Sequence, residues 1–292
     1  MLTRAQIDRC NSRLLEKLGR FLNETPDFID AGSVEGLADE CGLTRERAFS
    51  LLLSAALGLD LEANPEDKAL YDNYFPEMLR RLDEEEFRRN PYYAKVQIPE
   101  ARLGRWELGH RRYAPYEAFV RDDLEQMADG RVVPQLGYFE REFRYPVVFE
   151  DGREWMLVTP NEIETMRAPI ERASGKVLAY GLGLGYFAYM VCEKQGVSSV
   201  TVVERDANVI GLFERFLLPQ FSRPQKVEIV REDAFAHAER ELGPGRFDLV
   251  FTDLWHDPSD GVESYLKMKR YESQCPRTAF MYWIEKTMKH YL

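Results

Sequence analysis

The sequence predicts an α/β fold, a mainly parallel sheet with helices on both faces, preceded by an α-helical N-terminal domain and a β-hairpin. Three observations predict it. Beyond residue 160, five short apolar segments alternate with amphipathic ones, the pattern of strands feeding helices in a doubly wound sheet. Glycines at 181, 183 and 185 follow the first of those segments and precede a helix-like stretch. Before residue 130 apolar residues recur at helical spacing, and between 131 and 160 the period falls to two.

The helical domain is expected over residues 1–130. Ile7, Leu14, Leu15, Leu18, Phe21 and Leu22 share a face of the first helix. Val34, Leu37 and Ala38 predict a short helix that stops near Gly42, and Thr44 caps the next, which carries Ala48, Leu51, Leu52, Ala55 and Ala56. Asn64-Pro65-Glu66-Asp67 combines a cap, a proline at the first position and acids at the positive helix end. Pro76 and Asn90-Pro91 punctuate the chain beyond it. The helix, Gly-Leu-Thr turn and longer helix also have a helix-turn-helix pattern; a helical cap or dimerisation layer is the reading favoured here.

A β-hairpin connector is expected over 131–160. Phe139, Phe143, Val147, Phe149, Trp155 and Leu157 flank Asp151-Gly152, a two-residue turn signal. The last domain, 161–292, carries strands predicted at 176–180, 199–204, 226–231, 247–253 and 278–284, with helices near 186–195, 207–217, 234–241 and 261–273. Few residues come after the fifth strand.

Composition narrows the function. Of 292 residues, 45% are hydrophobic and 30% charged, and the net charge is −11. An acidic chain argues against a nucleic-acid partner, which needs a basic face. Arg102, Arg105, His110, Arg111 and Arg112 form the one local basic stretch, read as a connector with Arg–carboxylate pairs. No apolar run is long enough to span a membrane, and the first 22 residues have no apolar leader core, so a cytoplasmic protein is expected. Cys10, Cys41, Cys192 and Cys275 form no CxxC pair; free, mostly buried thiols and no metal site are expected. An acidic helical layer makes a homodimer an expectation too.

The chemistry concentrates in the last domain. Val177-Leu-Ala-Tyr180-Gly181-Leu182-Gly183-Leu-Gly185-Tyr186 is an apolar strand entering a Gly-rich turn and then a helix. Glycines there allow a tight turn and close approach of a ligand. Glu204 ends the next strand, 23 residues beyond Gly181, a spacing at which a carboxylate reaches both ribose hydroxyls. The pattern is G-x-G-x-G: Tyr186 stands where a dinucleotide site needs its third glycine. It is similar to the first motif of class I S-adenosylmethionine-dependent methyltransferases, whose domain is Rossmann-like. The resemblance covers roughly 45% of the chain. It implies S-adenosyl-L-methionine as cofactor, held by Tyr180, Gly181, Leu182, Gly183, Glu204, Arg205, Asp233, Ala234 and Asp253. Glu204 would take the ribose, Glu232-Asp233-Ala234 the adenine, and Asp253 would face cofactor and acceptor.

After Asp253 the chain reads Leu-Trp255-His256-Asp257-Pro258. An Asn/Asp-Pro-Pro-Tyr motif of nucleobase N-methylation is absent. Asp253 with Asp257-Pro258 resembles in part the loop of spermidine synthase-type aminopropyltransferases, whose first acid deprotonates an amine. Asp253 and His256 are the catalytic candidates, His256 as base with Asp253 or Asp257 as orienter. Trp255 either stacks on the acceptor or packs under the adenine. Upstream, Thr159 or Asn161 caps a helix; the resemblance implies that this helix closes over the cofactor, with Asn161 or Thr165 at its methionine end. His110, His237 and His290 are read as structural. The expected function is methyl transfer to a small-molecule acceptor. The alternatives are aminopropyl or aminocarboxypropyl transfer and a non-catalytic S-adenosylmethionine-binding module.

Overall fold

In the computed structural model, which describes residues 2–292, Thr3 opens the first helix. Its backbone N–H donates to the Gln6 side chain, and its hydroxyl accepts from the Gln6 N–H, a reciprocal cap. Helix α1 (Arg4–Glu24) buries Ile7, Leu14, Leu18 and Phe21 along one stripe. Helix α2 (Ala31–Cys41) ends at Gly42 with φ 63°, which glycine adopts without a Cβ penalty. Thr44 caps α3 (Arg45–Ala56), and Asn64 caps α4 (Pro65–Met78), with Pro65 in its first turn. Pro76 lies inside the end of α4 rather than after it. Asn11 is buried yet fully used: its side-chain oxygen accepts from Tyr74 and from the Val132 N–H.

Gly36 is an exposed glycine inside α2, and a Cβ there would meet nothing within 4 Å. Gly36→Ala is expected to raise stability by about 0.5–1 kcal/mol, through the helix propensity alone. Urea denaturation of the variant checks this.

Strands begin earlier than the helical domain of 1–130 allows. After α4 come β1 (Leu79–Arg81), α5 (Glu84–Arg88), α6 (Pro91–Lys95), β2 (Ala101–Leu103), β3 (Trp106–Tyr113), β4 (Phe119–Gln126) and β5 (Val132–Tyr138). The reason is visible in the burial. Trp106 and Leu108 are buried while Glu107 between them is exposed, and Gly104 (φ 60°) with Arg105 makes the two-residue turn between β2 and β3. Three arginines of this stretch are paired with acids, Arg105 with Glu150 and Asp206, Arg111 with Glu154 and Arg112 with Glu142, while Arg102 donates to Gly104 O.

The predicted hairpin is present. β6 (Phe143–Glu150) and β7 (Arg153–Leu157) are joined by Asp151 and Gly152, both at positive φ. It is no isolated connector, for β2-β3-β6-β7 form one four-stranded sheet.

The remaining elements are α7 (Pro160–Thr165), α8 (Arg167–Arg172), β8 (Gly175–Tyr180), α9 (Tyr186–Cys192), β9 (Val197–Glu204), α10 (Ala207–Leu212), β10 (Val227–Arg231), α11 (Ala234–Glu241), β11 (Leu249–Thr252), α12 (Pro258–Lys269), β12 (Ala279–Tyr282) and α13 (Glu285–His290). The helix expected to 217 turns π-helical at Phe213–Leu217. Strands pair in parallel in the order β10-β9-β8-β11-β12. Val177, Leu178, Val200, Val202, Val250 and Phe251 are fully buried in this sheet, as strands covered on both faces require. The strand order reverses at β8, so the ligand crevice belongs at the carboxyl ends of β8, β9 and β11.

The chain divides into two units. One holds the residues up to Glu85 together with Arg112–Arg144, and includes the sheet β1-β5-β4. The other holds Glu86–Arg111 and Tyr145–Leu292. The parallel sheet therefore shares its unit with α6, β2 and the hairpin, in addition to residues 161–292. Of the four free cysteines, Cys192 and Cys275 are buried, Cys10 is intermediate and Cys41 is exposed. No helix among the described residues is long and apolar enough to cross a membrane.

Candidate active site

The turn after β8 is a shelf of backbone. Gly181, Gly183 and Gly185 all hold positive φ, at 99°, 51° and 74°. A Cβ on Gly181 would lie 2.0 Å from the Asp253 carbonyl oxygen. That approach is enforced by the strand ends: the Asp253 N–H donates to Tyr180 O, and the Gly181 N–H donates to Val203 O. A Cβ on Gly183 would meet the Met156 thioether, and one on Gly185 the Phe213 ring. Gly185 is thus a packing glycine at the start of α9.

Glu204 ends β9 beside this shelf. Its carboxylate accepts from the Asp206 N–H at 2.8 Å, and the backbone N–H groups of Leu182 and Arg205 also face it. Burial raises its pKa above the ordinary value, and those donors oppose the rise. Leu182 and Arg205 therefore adjoin Glu204 through their main chains, while the Arg205 side chain is exposed.

Asp233 caps α11, with one oxygen accepting from the Phe235 and Ala236 N–H groups at 3.0 Å. Ala234 is buried behind it. Tyr180 departs from expectation in its side chain, which is fully buried with its hydroxyl 3.1 Å from His237 Nδ1. Only its main chain reaches the shelf. His237, read as having no chemical partner, has this one, and burial lowers its pKa.

Asp253 follows β11. No hydrogen bond from the described residues reaches its carboxyl, and enclosure by protein pushes its pKa up to about 8, with the charge of Glu162 a second cause. His256 is less well placed for chemistry. Its ring is exposed, 3.7 Å from Asp257, with its centroid 6.1 Å from that of Trp155. Its backbone N–H and that of Asp257 both donate to Asp260, and Asp257 caps α12 through Ser259. The loop is built as a helix cap. Trp255 is buried against Gly261 and Tyr265 of α12.

Glu162 was legible only as an acid in a first helical turn. It accepts from the Thr159 N–H at 3.2 Å and from the Thr159 hydroxyl, closing the cap of α7. Burial raises its pKa, and the hydrogen bonds from Thr159 oppose the rise, with His256 a smaller opposing cause. Helix α7 lies across the strand ends because Trp283 ties it there. The Trp283 indole N–H donates to Thr165 Oγ1, and the Trp283 backbone N–H donates to Thr252 O. Thr165 also donates to Asn161 O, so its hydroxyl is committed to this anchor. Two further neighbours had no chemical signature in the sequence. Tyr93 of α6 donates to Val158 O beside Glu162, and Met156 of β7 covers Gly183.

Solved structures share parts of this fold. Spermidine synthase from Thermotoga maritima matches 47% of the chain and 51% of its own length, at 17% identity and a TM-score of 0.35. Spermidine synthase in complex with the transition state analogue AdoDATO matches 47% and 53%, at 20% identity and 0.36. A putative O-methyltransferase from Klebsiella pneumoniae matches 33% and 43%, at 22% identity and 0.26. The chain spans about half the length of the spermidine synthase chains it matches, and at these identities the likeness is confined to the fold. No protein-family model and no curated protein matches the chain.

Proposed function

We propose that this chain is a transferase that uses S-adenosyl-L-methionine and passes its methyl group to a small acceptor. The observation that carries the reading is the glycine shelf ending β8 beside Glu204 ending β9, at the reversal of strand order. The residues present fit such a nucleoside. Gly181 and Gly183 hold the positive-φ turn that would bring the backbone to it, and Glu204 is an acceptor for two ribose hydroxyls. Asp233 and Ala234 sit at the end of the neighbouring strand, where an adenine edge would lie; Tyr180, Leu182 and Arg205 contribute main chain.

When bound, that group supplies a carbon activated by a sulfonium. The protein's share is positioning and proton removal. Asp253 is the proton acceptor in this reading, since its carboxyl is enclosed and receives no hydrogen bond, whereas His256 is exposed on a capping loop. Met156 of the hairpin covers Gly183 of the shelf.

Isothermal titration tests the reading. S-adenosylmethionine and S-adenosylhomocysteine are expected to bind, NAD is not, and Glu204→Ala is expected to weaken binding by about 1–3 kcal/mol by stranding the ribose hydroxyls. A preference for decarboxylated S-adenosylmethionine would move the assignment to aminopropyl transfer. Binding of none of them by a folded protein would sink the reading.

A further inference from the structure

Two consecutive tyrosines of α6 each spend a hydroxyl on a carbonyl beside the shelf. Tyr92 donates to Leu184 O at 2.7 Å, and Tyr93 donates to Val158 O at 2.5 Å. Leu184 lies between Gly183 and Gly185 in the glycine turn, and Val158 precedes Thr159, the cap of α7. Each hydroxyl holds one end of a peptide plane whose other end is held too. The Gly185 N–H donates to Leu182 O, and the Thr159 N–H donates to the Glu162 carboxyl. Both planes are therefore tied at oxygen and at nitrogen. The Leu184 carbonyl needs an outside partner, because it precedes the cap residue Gly185 and lies beyond the hydrogen-bond ladder of α9.

Asn90 aims this short helix. Its side-chain oxygen accepts from the Tyr92 N–H at 2.9 Å, and its amide donates to the Tyr186 hydroxyl at 3.1 Å. Tyr186 and Tyr189 of α9 set their rings edge-on to Tyr92, with centroids 5.5 and 5.6 Å away. Phenylalanine would offer the same ring packing; only the hydroxyls reach the two carbonyls. A turn built on glycines at positive φ is intrinsically loose, and ordering it costs more backbone entropy than ordering other residues. We propose that Tyr92 and Tyr93 are positioning residues, and that α6 braces the glycine turn and the start of α7 in the shape that receives a nucleoside. This rests on the transferase reading above. Each tyrosine acts through the peptide it holds, and a turn ordered in advance spares the ligand that cost on binding.

Tyr92→Phe and Tyr93→Phe keep the rings and remove the hydroxyls. Tyr265→Phe is the control: it loses a comparable bond, to Glu285 at 2.8 Å, between α12 and α13. Hydrogen exchange read by mass spectrometry follows segments 181–187 and 158–166, with 197–204 of β9 as reference. In the free protein Tyr92→Phe is expected to exchange about ten-fold faster over 181–187, and Tyr93→Phe about ten-fold faster over 158–166. The reference segment should stay at its wild-type rate, and neither variant should melt lower than Tyr265→Phe. Saturation with S-adenosylhomocysteine should return 181–187 to the wild-type rate. Titration should show S-adenosylhomocysteine and 5′-methylthioadenosine bound about ten-fold more weakly by Tyr92→Phe and within about two-fold of wild type by Tyr265→Phe. Acceleration spread equally over all three segments would reduce the tyrosines to ordinary packing and overturn the proposal. So would an unchanged rate in the segment each tyrosine holds, or an equal loss of affinity in Tyr265→Phe. If wild type binds neither nucleoside, the transferase reading falls by itself, and exchange in the free protein still decides whether α6 is a brace.

Discussion

Asp253→Asn is expected to stabilise the free protein at pH 9 and to slow transfer by orders of magnitude. The folded carboxyl titrates at about 8, against an ordinary value of 3.8. Between those values the folded state keeps a proton that the unfolded chain has released. The folded state therefore binds more protons, and stability falls as pH rises through this window. The contribution is fully present below pH 4 and lost above about 8. Asparagine has the same shape and nothing to ionise, so the variant escapes the loss. We expect little difference in unfolding free energy at pH 4 and a gain of several kcal/mol at pH 9, at most about 6 by linkage of the two values. Glu162, whose pKa is also raised by burial, gives the same sign and a smaller effect on Glu162→Gln. Turnover, once an acceptor is in hand, should fall by roughly 10²–10⁴-fold with the proton acceptor gone. Denaturant melts of both proteins at the two pH values read the first part. Equal stability at pH 9 would mean that Asp253 is not held in an enclosed, unpaired state.

Gly181→Ala is expected to cost stability and binding together. Its φ of 99° is a region alanine rarely adopts, and the new Cβ would fall 2.0 Å from a carbonyl oxygen. That oxygen belongs to Asp253, whose own N–H is bonded to Tyr180, so neither side yields without losing a strand-end hydrogen bond. The expected cost is about 2–4 kcal/mol, with nucleoside affinity down at least ten-fold. Gly183→Ala makes the informative contrast. There the Cβ meets the flexible end of Met156, and φ is 51°. It should lose affinity with a smaller fall in melting temperature. Thermal melts and titration of the two variants separate a glycine pressed against rigid backbone from one pressed against a flexible side chain beside the shelf.

Local signals were legible where local physics decides. Thr3, Thr44 and Asn64 start helices, Gly42 stops one, and Asp151-Gly152 turns a hairpin, because each satisfies backbone groups within a few residues. The strand–glycine–helix segment and Glu204 came from the same kind of reading. The β-strands at 101–126 were missed although Trp106-Glu107-Leu108 alternates, because the arginines around them look like a solvated connector. Leucine-poor, arginine-rich strands hide their period when Arg–carboxylate pairs cover the exposed face.

Sequence alone was enough to determine the α/β class, the five parallel strands, the glycine shelf and the acid that ends β9. Each is set by periodicity or by a residue whose backbone conformation few others adopt. Only the tertiary structure decided which acids face one another. Glu162 and Asp253 are 91 residues apart in sequence, and nothing in either segment records the other. They meet because Trp283 pins α7 over the end of β11, while Tyr180, adjacent to the shelf in sequence, turns its ring into the core toward His237. Proximity across a sheet is set by strand order and by packing, and the burial that raises the Asp253 pKa exists only once that packing has formed.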